Sequence, residues 1–309
     1  MDEQGRRVAL ATEATSAIRP DVRSGRNRHS LVWLATLPFF AYALMFLFVP
    51  AGDVLLGAFR GAHGEWTFST IGDLFQHQFL NAYWVSIKIS LITAALGGAL
   101  GFLIAFAAVR DGTPRAVRTM LTTFSGVAAN FGGIPLAFAF IATLGTIGIV
   151  TTFMNDHLHF NPYAHGFNLF TQTGVEIVYL YFQIPLMILV IAPAVDGLKR
   201  EWREAASILG ARGWQYWLHV GIPILTPSLL GAFILLFGNS FAAYATAYSL
   251  TGTAGGVPLI TIIIGSYYTG DVLSNPHFAQ ALSLGMFVVL AAMMALYLPL
   301  QRRSSRWTR

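Results

Sequence analysis

The sequence predicts an all-α integral membrane protein of about six transmembrane helices, and three observations carry that expectation. Hydrophobic residues make up 55% of the 309 and charged residues 11%, against about 25% charged in a soluble domain. Apolar runs long enough to cross a bilayer, about 20 residues each, recur along the chain. The basic residues gather in alternate connections between those runs, which is the asymmetry that orients a membrane protein.

Taken in order, the expected spans are Leu31 to Val49, Ala82 to Val109, Met120 to Val150, Val175 to Val195, Ile222 to Leu250, and Phe278 to Leu300. The chain thus reads as a basic N-terminal tail (1–30), a membrane domain (31–301) and a basic C-terminal tail (302–309). A basic region ahead of an apolar stretch also fits a signal peptide. The stretch from Leu31 has no convincing small-residue cleavage site and is long enough to span, so a retained helix is expected. The shorter apolar patch Val257 to Tyr268 is punctuated by Gly and Pro and reads as a re-entrant or interfacial piece on the outer side.

An even number of spans puts both termini on one side, where Arg and Lys should collect. The N-terminal tail holds Arg6, Arg7, Arg19, Arg23, Arg26 and Arg28. The second-to-third connection holds Arg110, Arg115 and Arg118, and the fourth-to-fifth Lys199, Arg200, Arg203 and Arg212. The C-terminus adds Arg302, Arg303, Arg306 and Arg309, whereas the opposite loops have only Arg60. Both ends are therefore expected in the cytoplasm of a bacterial cell (inner or plasma) membrane. The net charge of +5 is explained without nucleic acid.

The chain has no cysteine, which excludes disulfides and thiolate chemistry. His157, His159 and His165 cluster in one outer loop, but their spacing fixes no metal geometry, and solvated histidines are expected. Gly97, Gly98 and Gly101 on the second span permit close helix approach. Gly132, Gly133 and Pro135 interrupt the third. Ordinary packing accounts for them; a broken helix beside a pathway, with Asn130 nearby, is the functional alternative.

The longest basic loop, about 196–223, carries a sharper pattern. Glu204-Ala205-Ala206 is followed after three residues by Gly210, and after nine more by Val220-Gly221-Ile222-Pro223. Glu201 to Leu209 is helix-prone, with Trp202, Ala205, Ala206 and Leu209 at helical spacing. Gly210 suits a left-handed C-terminal cap, Gly213 a further change of direction, and Pro223 the first turn of the next helix. A short helix projected this way, with no room to form a domain, is something for a partner to grip.

This pattern resembles the EAA loop of the permease subunits of binding-protein-dependent ABC importers. Glu204, Ala205, Ala206, Gly210 and Pro223 match it identically, while Val220 and Ile222 replace the usual Ile and Leu. The segment around Trp214 is also similar, and the likeness covers roughly Ala82 to Leu300. It implies the type I importer permease fold, with the short helix coupling to a cytoplasmic ATP-hydrolysing subunit. It further implies two such ATPases, a second permease that is a paralogue or a copy of this chain, and an extracytoplasmic solute-binding protein. The chain has neither a phosphate-binding loop nor an acidic metal-binding partner for one. It is therefore expected not to be an enzyme and to hold no cofactor, ATP and Mg²⁺ being used by the partner.

Polar residues within spans are functional candidates by default. Lys88 lies in the second span, close enough to its outer end to snorkel, and Glu176 lies near the outer end of the fourth. The two could pair if both lined a pathway. Asn239, Ser240, Tyr244, Thr246 and Tyr248 make the second half of the fifth span polar. Tyr244 and Tyr248, at i and i+4, share a face, either as an interface belt or as a pathway stripe. A secondary transporter is the alternative class, but it would show an internal repeat or a coupling-ion site. An intramembrane enzyme would want convergent Ser, His or Asp; His219 has no evident partner. Phe241 to Gly252 is similar to the polyamine and ferric-iron branch of the importers. That likeness puts spermidine or putrescine first as substrate, with ferric iron, phosphonates or small anions behind.

Overall fold

The structure, a computed structural model, describes residues 28–61, 64–109, 113–252, 256–269 and 275–304. The first 27 residues of the N-terminal tail, Arg110, and the last five residues of the C-terminal tail lie outside the described residues. The chain divides into two units, 1–53 and 54–309.

In the first unit, α1 (Arg28–Ala43) runs through a π turn (Leu44–Phe48) into the start of α2 (Val49–Gly57), whose last four residues belong to the second unit. Pro38 lies inside α1. Phe39, Phe40, Phe46 and Leu47 are all more than 60% exposed, so this helix is apolar around its whole circumference, as lipid or another apolar surface requires.

The second unit contains α3 (Ser69–Asp73), α4 (His77–Val109), α5 (Arg115–Asn130), α6 (Gly133–Leu144) and α7 (Ile149–Leu158). After a 3₁₀ turn (Pro162–His165) come α8 (Gln172–Asp196), α9 (Arg200–Ile208) and α10 (Gly213–Tyr216). A π turn (Trp217–Gly221) then leads into α11 (Ile222–Phe241), followed by α12 (Ala245–Thr251), α13 (Ile260–Thr269) and α14 (Pro276–Ser304). Among the described residues, six helical runs are long and apolar enough to cross a membrane: 36–57, 77–108, 133–158, 172–196, 213–241 and 276–301.

The core of this unit joins α4, α8, α11 and α14 through Ala94, Ile191, Leu236, Phe237 and Leu282, all essentially inaccessible. Close approach of α4 to α8 depends on glycine. A Cβ on Gly97 would stand 2.6 Å from Gln183 Cβ, and one on Gly101 2.7 Å from the Ile184 carbonyl oxygen. Small residues bring the backbones together, and dispersion between well-fitted surfaces then holds helices that water no longer drives together. A second core around Ile89, Leu136, Tyr179, Leu250 and Leu259 packs α6 and α12 onto α4 and α8.

Two expected spans are not single helices. Met120–Val150 is divided among α5, α6 and α7, with breaks at Phe131–Gly132 and between Leu144 and Ile149. Gly133 takes φ +71°, a left-handed conformation that glycine alone adopts at little cost, and Pro135 contributes no N–H to the new helix. The run long enough to span begins at Gly133 and so lies further along the chain than expected. The expected Ile222–Leu250 helix ends at Phe241, and α12 restarts at Ala245. Its run begins earlier, at Gly213, and Pro223 keeps its expected place in the first turn of α11, which continues the π turn without a gap. The π turn just upstream widens the helix at the point where proline disturbs the hydrogen-bond ladder. The Val257–Tyr268 patch is the short helix α13, seated on the bundle by Ile260, whose N–H donates to Ser86 Oγ at 2.9 Å.

At the basic end, the Arg118 guanidinium donates to the Asp196 carboxylate, tying the first turn of α5 to the last residue of α8.

Candidate functional site

Helix α9 carries the loop pattern. It begins after Lys199 and ends on Gly210, whose φ of +78° is the left-handed cap expected there. The Ala211 N–H donates to the Ala206 carbonyl and the Gly210 N–H to the Ser207 carbonyl, both at 3.0 Å. These two bonds form a Schellman termination, which satisfies the carbonyls a helix end leaves open. Gly213 keeps an ordinary φ and starts α10, where the Gln215 side chain accepts the Arg212 N–H at 2.7 Å.

The helix is held firmly at its end and covered little elsewhere. Glu204 is exposed and its carboxylate accepts from Arg200 Nε at 3.0 Å, one turn back. Ala205 is exposed and Ala206 half-buried. Ile208 and Leu209, at the capped end of the helix, are 86% and 87% exposed. His219, downstream on the π turn, places Nδ1 3.0 Å from the Gln215 carbonyl oxygen.

A second constellation lies inside the bundle, where two helix breaks meet. The Gly133 N–H, at the start of α6, donates to Thr246 Oγ1 on α12 at 2.8 Å. The Ala243 carbonyl, in the gap between α11 and α12, accepts from Tyr179 Oη at 3.1 Å and from Thr261 Oγ1 at 3.3 Å. Backbone groups released by the two breaks are thus met by side chains, as non-helical backbone at membrane depth demands.

Several pathway candidates gather around these breaks. Asn130 is exposed at the end of α5, its amide donating to the Gly126 carbonyl at 2.8 Å. Tyr244 and Tyr248 flank Thr246 and stack with ring centroids 5.3 Å apart, on the shared face their spacing implies. Asn239 is exposed one turn before the break. Lys88 and Glu176 are not brought together. Lys88 stands exposed on α4 beside Trp84, and no ion pair joins it to Glu176, which accepts from Gln172 Nε2 at 2.9 Å. The outer-loop histidines do not converge: His157 stacks on Phe153, His165 stacks on Phe160, and His159 caps α7. Among the described residues no group of three or more His, Cys, Asp or Glu is placed to hold a metal.

Sequence reasoning named Ser240 but passed over the rest of a buried polar seam beside the breaks. Gln183 is fully buried, donates Nε2 to the Leu236 carbonyl at 2.8 Å, and leaves its Oε1 without a hydrogen bond. Thr93 Oγ1 and Ser240 Oγ lie 2.9 Å apart across α4 and α11. The available signal was a glutamine at the centre of the fourth apolar run, together with Ser86, Ser90 and Thr93 on one face of the second.

Residues 163–309 match the family described as the binding-protein-dependent transport system inner membrane component. Among curated proteins, a probable sulfate transport system permease protein of Marchantia polymorpha is 25% identical over 221 residues, 71% of each chain. An sn-glycerol-3-phosphate transport system permease of Rhizobium meliloti is 25% identical, over 86% of this chain and 92% of that one. A molybdenum transport system permease of Mycobacterium bovis is 25% identical, over 70% and 76%. The fold is that of a chain in the crystal structure of a bacterial ABC transporter involved in import of the acidic polysaccharide alginate. The TM-score is 0.69 at 18% identity, covering 89% of this chain and 96% of that one. Loop motif, fold and relatives alike make this multi-pass membrane protein similar to the permease subunits of binding-protein-dependent ABC importers.

Proposed function

We propose that the chain is one permease half of an importer for a small tetrahedral oxyanion, driven by ATP hydrolysis in a separate subunit. The observation that carries the coupling is α9: a Schellman-capped helix presenting Ile208 and Leu209 almost fully exposed beside Glu204, Ala205 and Ala206. Two cytoplasmic ATPase subunits, using ATP and Mg²⁺, grip this helix and its counterpart on a second permease. Their closure draws the two helices together and opens the pathway outward to a solute-binding protein. The basic end faces the cytoplasm, so both termini are cytoplasmic and the membrane is the bacterial inner membrane.

The relatives support the substrate class. Sulfate and phosphate esters are compact tetrahedral anions, and molybdenum dissolves in neutral water as an anion of the same shape. In this reading Lys88, exposed on α4, attracts such a charge, and Asn130, Asn239, Tyr244 and Tyr248 supply neutral polar contacts near the breaks. A secondary transporter leaves α9 without a purpose.

Affinity purification in mild detergent, followed by mass spectrometry and ATPase assay in liposomes, tests both levels. An ATPase and a second permease in the eluate, with hydrolysis stimulated by binding protein and sulfate, molybdate or glycerol phosphate, are expected. A chain that purifies alone and transports without ATP overturns the importer reading. Stimulation by spermidine but by no oxyanion overturns the substrate class alone.

A further inference from the structure

Where α4, α8 and α11 pack together, one hydroxyl hydrogen faces two buried acceptors. Thr93 donates its only hydroxyl hydrogen to the Ile89 carbonyl, one turn back on α4, at 2.8 Å. The hydrogen in the 2.9 Å contact between Thr93 Oγ1 and Ser240 Oγ is therefore the one on Ser240. Gln183 Oε1, on α8, receives none, although the residue is fully buried. A buried polar oxygen left unmet in a native fold calls for a reason, and stored strain is one.

The packing sets Gln183 close to both hydroxyls. Its Nε2 donates to Leu236, one turn before Ser240 on α11, while Tyr179, one turn earlier on α8, donates to Ala243 just beyond it. Two contacts from one face of α8 thus bracket Ser240. On α4, Gly97 lies one turn after Thr93, and a Cβ there would stand 2.6 Å from Gln183 Cβ. The Ser240 hydroxyl therefore uses an acceptor on α4 and has a second, unused, about one helical turn away on α8.

We propose that Ser240 is a two-position switch. Its hydroxyl donates to Thr93 in the arrangement seen here and to Gln183 Oε1 in a second, reached when α11 shifts by part of a turn from α4 toward α8. Supplying the unmet oxygen with a hydrogen favours the second arrangement on the order of 5- to 150-fold. Ser240 is the next-to-last residue of α11, beside Asn239 and ahead of the break that α12 follows, so the exchange carries movement of the bundle into the break. The inference rests on the reading that the chain alternates between two arrangements as an importer permease.

The chain has no cysteine, so a single cysteine in place of Leu235, which is 49% exposed on α11, takes one trifluoromethyl label on this chain. Fluorine NMR of the full chain as purified, in nanodiscs, then reads the populations of the two arrangements. Gln183→Leu removes the second acceptor and is expected to lower the ratio of second to first arrangement at least several-fold. Thr93→Val removes the first acceptor and is expected to raise it, while Thr93→Ser keeps the hydroxyl and stays near wild type. Ser240→Ala removes the hydrogen itself, so in that background the other two substitutions should no longer move the ratio. Shifts of the same sign in Gln183→Leu and Thr93→Val overturn the switch, as does one unchanging resonance in both. An undiminished effect of Gln183→Leu in the Ser240→Ala background overturns it too, because a merely structural glutamine behaves that way. Populations are read without ATP or substrate, so they stand apart from the outcome of the importer test.

Discussion

Gly133 and Thr246 are 113 residues apart, yet the N–H of one donates to the Oγ1 of the other at 2.8 Å. A single hydroxyl thus fastens the start of α6 to α12 at the point where both helical runs are interrupted. Tyr179 and Thr261 hold the Ala243 carbonyl in the same gap. The two breaks are a joint structure, and changing the helix geometry on one side changes the hydrogen bonding of the other.

Thr246→Val removes the acceptor and keeps the shape. A fully buried N–H left unsatisfied costs about 1–3 kcal/mol and this part-buried one less, so thermal unfolding in detergent should shift down modestly for Thr246→Val and stay near wild type for Thr246→Ser. Equal melting temperatures for the two would show that the Gly133 N–H does not depend on this hydroxyl.

Gly133→Ala meets only Ala245 Cβ at 3.8 Å, so space is available and the cost is conformational. Holding an alanine at φ +71° costs about 1–2 kcal/mol. Asparagine, which tolerates the left-handed region better, should lose less stability than alanine in the same assay. The reverse order would place the cost in packing.

At the centre of the α4–α8 contact, Gln183→Leu removes a buried oxygen that has no hydrogen-bond partner, and with it one bond to the Leu236 carbonyl. Leaving a buried polar atom unsatisfied costs about as much as the bond gains, so stability should hold or rise. Gly101→Ala should instead lower it by about 1–3 kcal/mol, because the new Cβ meets the Ile184 carbonyl oxygen at 2.7 Å. Unfolding in mixed detergent compares the pair; a less stable Gln183→Leu would make the glutamine a structural tie.

The apolar runs and the alternating arginines made the span count legible, since each depends only on composition along the chain. The capped helix α9 was legible too, because Gly210 is a local signal for a local conformation. The breaks were half legible. Gly132, Gly133 and Pro135 announced the first, but Ala242, Ala243 and Tyr244 are ordinary helix residues. What ends α11 there is tertiary: Tyr179 and Thr261 reach the Ala243 carbonyl from other elements. Lys88 and Glu176 illustrate the converse, two ionisable residues that depth alone could pair and that the packing of α4 on α8 keeps apart.

Coupling through α9 gives the last prediction. Gly210 sits at φ +78° with open space where a Cβ would go, so substitution strains the backbone without a clash. A β-branched residue there is the least tolerated, and Gly210→Val should unmake the Schellman turn and let Ile208 and Leu209 swing from their positions. Glu204→Lys leaves the helix intact but sets a second cation beside Arg200 and reverses the charge offered to the partner. Both variants should insert in the membrane at wild-type levels, since neither touches a span. Both should lose ATPase stimulation by loaded binding protein. Lys88→Met is the contrasting case: insertion and basal hydrolysis should be normal while oxyanion uptake falls, and Lys88→Arg should restore it. Unchanged uptake in Lys88→Met would remove that lysine from the pathway, and normal stimulated hydrolysis in both α9 variants would sink the coupling role of the helix.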